Sequence, residues 1–262
     1  MTRPGVHARF SDGLSPYWRR TTSGSAFLQT RASGLLLGSH RASSHDYTNA
    51  QIDDYHTLPR PQFPWRPPLR LSIRARFSHN CGHLTGTAGF GFWNDPLRLT
   101  GLRRLSFPQA LWFFYAGPDS NMPLSFDQPG WGWRASTIDT RTIRFLASAP
   151  LFALTSPLLR APRIYRSLWP SVQKAAGIAE KVIPAPMTDW HVYTIDWQRA
   201  GVSFYLDGRL LLESDHAPAG SLGLVIWIDN QFLQFAPWGR IGWGLLKKEG
   251  AQWLEIDWLV VA

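Results

Sequence analysis

The chain has 262 residues, enough for one large β domain or two small ones, and an apolar content of 44% excludes wholesale disorder. A formal net charge of +9 suits phosphate, anionic lipid or acidic substrates. No long basic run, zinc-finger pattern or RNA-recognition signature accompanies that charge, so nucleic acid is not the expected partner. Cys81 is the single cysteine, which excludes an internal disulfide and a thiolate metal cluster.

Residues 1–22 read as a flexible basic leader, with 23–262 as one domain. The first twenty residues lack the apolar core of a signal peptide, and no apolar run is long enough to span a bilayer. Read from Met1, the expected location is the cytoplasm. Strand-like material begins at "SAFLQTRASGLLLGS" and runs through "NAQIDDYH". Asp53, Asp54 and His56 form a polar cluster there. Side chains alternate along a strand, so Asp54 is expected to share a face with His56, as an acid/base pair or as ordinary rim residues.

The proline-rich connector "LPRPQFPWRPPL" precedes "LRLSIRARF", a half-buried strand with an arginine face. Next comes "GTAGFGFWNDP". Counting by twos puts Gly89, Gly91, Trp93 and Asp95 on one face and Ala88, Phe90, Phe92 and Asn94 on the other. The first set reads as a cleft floor, the glycines leaving room for a ligand beside Trp93. In the competing reading Asn94, Asp95 and Pro96 only close a turn. "FPQALWFFYAG" is a further strand. Trp112 and Tyr115, on its opposite faces, are its ligand-binding candidates, and the face lining a cleft stays open.

Residues 145 to 183 read as a mainly helical insertion. Ile164, Leu168 and Val172 recur at helical spacing, followed by Ala175, Ala176 and Ala179, and Ser171 is expected to cap a helix ending near Val182. It is a lid over an apolar pocket or packs against the sheet. Strands then resume in "WHVYTIDWQRAGVSFYLDGRLLLES", with Asp207-Gly208 as a two-residue hairpin turn, and in "SLGLVIWIDNQ" and "QWLEIDWLVVA". Alternation in the former places Val225, Trp227, Asp229 and Gln231 together, so a second Trp-x-Asp unit matches that of Trp93 and Asp95. Two such units give stacking rings with polar ends, the makeup of a small-molecule site. Repeated short strands with turn signals indicate an all-β sandwich or jelly roll.

In order and texture these segments resemble the concanavalin A-like jelly roll, and most closely glycoside hydrolase family 16 and its relatives. The resemblance rests on "LRLSIRARF", "AGFGFWNDP" and "ALWFFYAG" in the N-terminal half. In the C-terminal half it rests on the Asp-Trp strand leading into a Tyr-x-Asp-Gly hairpin, on "LGLVIWIDNQ" and on "LEIDWLVV". It covers roughly residues 45 to 262, the insertion excepted, and implies an all-β, two-sheet fold.

The family's Glu-x-Asp-x-(x)-Glu strand has no counterpart. "QALWFFYAG" stands in its place without an acid, and the glutamates are only Glu180, Glu213, Glu249 and Glu255. Retaining hydrolysis needs two carboxylates about 5 to 5.5 Å apart, so the usual family mechanism is not expected. The resemblance also implies a structural calcium, with Asp257 of the closing strand as its ligand; otherwise Asp257 is a surface carboxylate. No other cofactor is called for, and the oligomeric state is open.

Three functions follow. The first is a cleft that binds, and in an isomerase- or cyclase-like way transforms, an amphipathic or apolar small molecule. The candidate catalytic groups are Asp95, Asp229, Asp54 and His56, and the ligand-binding residues are Trp93, Asn94, Trp112, Tyr115, Trp227 and Gln231. The second is a divergent glycoside hydrolase or lyase using these aspartates. The third is a lectin-like carbohydrate-binding module without turnover.

Overall fold

The structure is a computed structural model that describes residues 5–96, 106–122, 128–147, 150, 157–158, 161–236 and 240–262. In chain order the strands are β1 (Val6–Arg9), β2 (Arg19–Ser23), β3 (Ala26–Arg31), β4 (Gly34–Ser39), β5 (Asn49–Asp53) and β6 (Leu69–Phe77). Then follow β7 (Thr87–Trp93), β8 (Gln109–Ala116), β9 (Gly132–Asp139), helix α1 (Pro162–Ala175) and β10 (Ala179–Val182). The remainder are β11 (His191–Gln198), β12 (Gly201–Leu206), β13 (Arg209–Ser214), β14 (Gly223–Asp229), β15 (Gln231–Ala236), β16 (Arg240–Leu245) and β17 (Gln252–Val261).

Two antiparallel sheets form a sandwich. One runs β13-β12-β11-β6-β17-β4-β3 with β1 added on β17; the other runs β10-β9-β8-β7-β14-β5-β2. The second sheet turns Phe90, Phe92, Leu111, Phe113, Tyr115, Trp133, Leu224 and Ile226 inward against Leu35, Leu71, Ile73, Tyr193, Ile195, Trp197 and Ile256 of the first, and all are buried. Aromatic rings dominate the middle. Phe113 lies 5.0 Å from Tyr193 and 5.5 Å from Phe204, edge to face in both cases, the arrangement the ring quadrupole favours. Nonlocal pairing of this kind is the all-β jelly roll expected from the strand pattern.

Alternation holds on β6. Leu69, Leu71, Ile73, Ala75 and Phe77 are buried, and the arginines between them point outward. Arg74 and Arg76 each lie 4.7 Å from the Trp190 ring, and Arg76 also lies 5.5 Å from Trp253. Arg74 pairs with Asp257 and Arg76 with Glu255, the latter at 2.8 Å. The β12–β13 turn is as expected, with Asp207 and Gly208 both at positive φ, 50° and 78°.

Two expectations need correction. The leader is structured from residue 6: β1 pairs with β17, and β2 forms the edge of the seven-stranded sheet beside β5. Phe10 and Trp18 are the reason, because both are buried in the core and anchor an otherwise basic segment. The helical insertion is also shorter than expected. Residues 143–147 are helical; α1 begins at Pro162, carries Pro170 inside it and ends at Ala175. Ser171 therefore caps nothing. Residues 148–149, 151–156 and 159–160 of this segment lie outside the described residues. Gly177 at φ +56° turns the chain, and Ala179–Val182 becomes β10 along β9.

The buried stripe of α1 is rotated from the expected one. Tyr165 and Trp169 are 5% and 6% exposed, against 37% and 39% for Ile164 and Leu168. The two rings are bulkier and pack on each other at 5.5 Å with Val172 alongside. The helix end is tied to β9 by the Asp139 N–H donating to the Ala176 carbonyl at 2.8 Å. Among the described residues, no helix is long and apolar enough to cross a membrane.

Candidate functional site

The seven-stranded sheet has a second face, turned away from the other sheet. A separate aromatic cluster occupies it: Val225 and Trp227 with Trp93, Trp112 and Phe114, joined by Tyr55, Leu58 and Phe63 from the segment after β5. Strand register sets its neighbours. Trp227 lies between Gln51 and Gly89, and Gly89 stands opposite Phe114. Val225 lies between Asp53 and Gly91, and Gly91 stands opposite Trp112. Beyond β8, Trp112 and Phe114 pair with Ser136 and Arg134 of β9.

The rings form a continuous platform. Trp112 stacks on Phe114 at 5.1 Å and 24°, and lies 5.6 Å from Trp227 and 6.0 Å from Trp93. The Trp93 indole N–H donates to the Tyr55 hydroxyl. The two glycines make this possible, but not by leaving room for a ligand. A Cβ on Gly89 would lie 2.9 Å from Cη2 of Trp227, and one on Gly91 would lie 2.8 Å from Cβ of Trp112. Indole fills the space expected for a bound molecule.

At one end of the platform Asp229 is buried and fully bonded. Its Oδ1 accepts from the Thr87 N–H at 3.2 Å, the Thr87 hydroxyl at 2.9 Å and the Gln231 N–H at 3.0 Å. Its Oδ2 accepts from the Gln231 side-chain amide at 3.0 Å. The chain of contacts extends both ways: the Trp227 indole donates to the Thr87 hydroxyl at 3.0 Å, and the Trp243 indole donates to Gln231 Oε1 at 2.7 Å. Burial pushes the Asp229 carboxyl up to about 6, with the hydrogen bonds opposing. Tyr47, in contact with Asp229 and Gln231, is pushed up by burial and then by the nearby carboxylate. A carboxyl in this range is suited to proton transfer at neutral pH.

The sequence placed Asp53 in the polar cluster with Asp54 and His56 but favoured Asp54 as the residue of the site; on the aromatic face the aspartate from this cluster is Asp53. It ends β5 on the outer face, fully buried, and Oδ2 accepts from the Gln51 amide at 3.0 Å. Burial raises its proton affinity, and the Gln51 bond and His56 oppose that. Asn49, Gln51 and Asp53 alternate in the sequence, which was the available signal. Arg134 and Glu180 form a buried ion pair at 2.7 Å beside Phe114, with side chains 4% and 0% exposed. Nothing local announced that pairing, because β9 and β10 are separated by the helical segment.

The other expected site residues fall elsewhere. Asp54 does not share a face with His56, because β5 stops at Asp53 and alternation stops with it. It accepts instead from the Trp65 indole at 2.6 Å and the Leu224 N–H at 2.9 Å. His56 approaches Asp53, at 3.9 Å. Strand β7 likewise ends at Trp93. Asp95 is buried with φ of 47°, and the Asn94 side chain ties the turn, donating to the Phe107 carbonyl at 2.8 Å and accepting from the Gln109 N–H at 3.0 Å. Arg60 donates to both their carbonyls. Tyr115 faces the core, its hydroxyl donating to the Leu84 carbonyl at 2.8 Å.

Asp257 pairs with Arg74, whose positive charge disfavours a divalent cation there. Among the described residues no group of three or more His, Cys, Asp or Glu could hold a metal ion. Two surface cavities lie away from the aromatic face. One of about 410 Å³ is lined by Trp65, Arg66, Arg199 and Ala262, and one of about 420 Å³ by Asp196, Ser203 and Glu213.

No protein-family model matches the sequence, and no curated protein matches it. Solved structures do resemble the fold. A prokaryotic beta-1,3-1,4-glucanase (lichenase) from a mouse hindgut metagenome is 14% identical with a TM-score of 0.52, over 100% of this chain and 99% of that one. The catalytic domain of an endo-1,3-beta-glucanase (laminarinase) from Thermotoga petrophila RKU-1 is 13% identical with a TM-score of 0.52, over 98% and 95%. A Crh5 transglycosylase in complex with NAG is 11% identical with a TM-score of 0.51, over 98% and 83%. The fold is thus the concanavalin A-like jelly roll of glycoside hydrolase family 16 structures, as the order of strands implied.

Proposed function

We propose that the outer aromatic face of the seven-stranded sheet binds a small amphipathic molecule. Its flat apolar part lies against Trp93, Trp112, Phe114 and Trp227, and its polar groups meet the Asp229–Gln231 end. One observation carries the reading: on β8, where the family 16 resemblance places catalytic carboxylates, the side chains on this face are Trp112 and Phe114. Each stacked ring contributes about 1–3 kcal/mol where a planar ligand is held.

Turnover in this reading is a proton transfer through Asp229 on a ligand held in shape, of the isomerase or cyclase kind. Two-carboxylate glycoside hydrolysis is less well supported. Asp229 and Asp53 face the same side but are four register positions apart along paired strands, about 13 Å between backbones. The working distances are about 5–5.5 Å for retention and about 6.5–9.5 Å for inversion.

A second reading is a carbohydrate ligand on the same rings, which the glucanase and transglycosylase descriptions of the similar structures favour. Titration of tryptophan emission with an apolar fluorescent probe and, separately, with β-glucan oligosaccharides tests both. The first reading expects saturable probe binding that Trp112→Ala weakens about tenfold or more. Response to oligosaccharide alone selects the second. No response to either overturns both.

A further inference from the structure

The segment between β9 and β10 carries more exposed apolar surface than a connector needs. Of the eleven large apolar side chains exposed among the described residues, five lie between 143 and 168: Ile143, Leu146, Leu158, Ile164 and Leu168. Ile143 is 85% exposed. One exposed leucine is ordinary, whereas a concentration of such side chains marks an interaction surface. The same segment is basic. From Thr140 to Ala179 the sequence has five arginines, one lysine and no acidic residue.

Contacts hold its two helices together. Thr142 starts the short helix at 143–147, its Oγ1 accepting from the Phe145 N–H at 3.1 Å, and its hydroxyl donates to the Ala175 carbonyl at the end of α1. The Phe145 ring packs edge to face on Phe107 at 5.9 Å. At about 100° per residue, Ile143 and Leu146 fall on the side of the short helix away from Phe145. Ile164 and Leu168 share one side of α1, with the buried Tyr165 and Trp169 on one flank and Arg163 and Lys174 on the other. Among the described residues no carboxylate pairs with Arg141, Arg144, Arg163 or Lys174. The nearest acids in sequence are engaged elsewhere: Asp139 accepts from the Gln109 amide at 2.8 Å, and Glu180 holds Arg134 at 2.7 Å.

We propose that the short helix and α1 form a docking surface for an anionic phospholipid membrane. Ile143, Leu146, Ile164 and Leu168 enter the boundary between headgroups and acyl chains, and Arg144 and Arg163 meet lipid phosphates. Charge and apolarity together select this partner. A polyanion in water matches the free guanidinium groups but gives the exposed aliphatic side chains nothing to bury, whereas an anionic bilayer takes up both. Docking of this kind lies on the membrane and needs no spanning helix. The surface is independent of the aromatic face and of any reading of it.

The test is co-sedimentation of the full chain with vesicles of phosphatidylcholine alone and of equal parts phosphatidylcholine and phosphatidylserine. Binding is expected to the anionic vesicles, to weaken as salt is raised, and to be much weaker on phosphatidylcholine. Ile143→Ser combined with Leu168→Ser should weaken it about tenfold or more, and Arg144→Gln and Arg163→Gln about fivefold each. All four side chains are exposed, so the variants should melt with wild type; the arginine variants serve if the double serine variant fails to fold. Sedimentation without lipid adds a control. Concentration-dependent self-association that Ile143→Ser abolishes assigns the surface to a second copy of the chain and overturns the proposal. No binding to the anionic vesicles, equal binding to both kinds, or binding unchanged in the variants overturns it as well.

Discussion

Trp112 and Trp227 sit on strands that do not pair, with β7 between them, yet their ring centroids are 5.6 Å apart. Second-neighbour strands are about 9–10 Å apart, so the indoles close most of that distance by leaning over the intervening strand. They can do so because β7 presents Gly89 and Gly91 there. A side chain at either position has to displace backbone as well as indole. An added Cβ would lie 2.3 Å from the Phe113 carbonyl at Gly89 and 2.4 Å from the Leu111 carbonyl at Gly91.

Gly89→Ala is therefore expected to destabilise the protein by about 2–4 kcal/mol. Urea unfolding measures this, and the near-ultraviolet circular dichroism of the coupled indoles should change with it. Wild-type stability in the variant would mean that the platform adapts, and that the glycines are not its cause.

Asp229 makes stability depend on pH. The folded chain holds this proton up to about pH 6, whereas an ordinary aspartate releases it near 3.8. Between those values the folded state binds more protons, so stability falls as pH rises through the window and is flat above it. The full effect is up to about 3 kcal/mol. Asp229→Asn is expected to flatten the curve of urea midpoint against pH between about 4 and 6.5, and an unchanged slope would assign the titration elsewhere.

The same variant should reach Trp243. An asparagine amide facing the Gln231 amide sets donor against donor, so Gln231 has to rotate and give up its acceptor role toward the Trp243 indole. Trp243 is already 64% exposed. The expected readout is a change in acrylamide quenching of Trp243 in Asp229→Asn that is absent in Asp53→Asn.

Asp54 serves as a structural acceptor for the Trp65 indole and the Leu224 N–H. Asp54→Ala leaves the Trp65 indole and the Leu224 N–H without their carboxylate, at a cost of about 1–3 kcal/mol for each buried donor left unmet. Stability should drop while the affinity of the aromatic face for its probe stays within about twofold, since the altered bonds lie off the platform. A selective loss of binding would restore Asp54 to the site.

How much of this was legible in the chain follows from where alternation is obeyed. Counting by twos placed Val225, Trp227 and Asp229 together and gave the inward faces of β6 and β7, because one face of each strand is buried and register is then strongly specified. The same count failed at Asp54 and Asp95, one or two residues past a strand end, where backbone turns replace the pleat. On β8 the period was clear but not its phase: Trp112 and Tyr115 are equally apolar, and only the opposing sheet decides which points inward. The Arg134–Glu180 pair joins segments far apart in the chain, so local pattern could not reveal it.

The arginine ladder of β6 changes what the overall charge means. Arg74 and Arg76 have Trp190 against them and a carboxylate apiece, Asp257 and Glu255. Their guanidinium groups are thus spent inside the surface lattice of the sheet, acting as rivets between β6, β17 and the loop carrying Trp190. A polyanion approaching this side would meet indole edges and neutralised pairs, a far weaker field than a formula count of basic residues suggests.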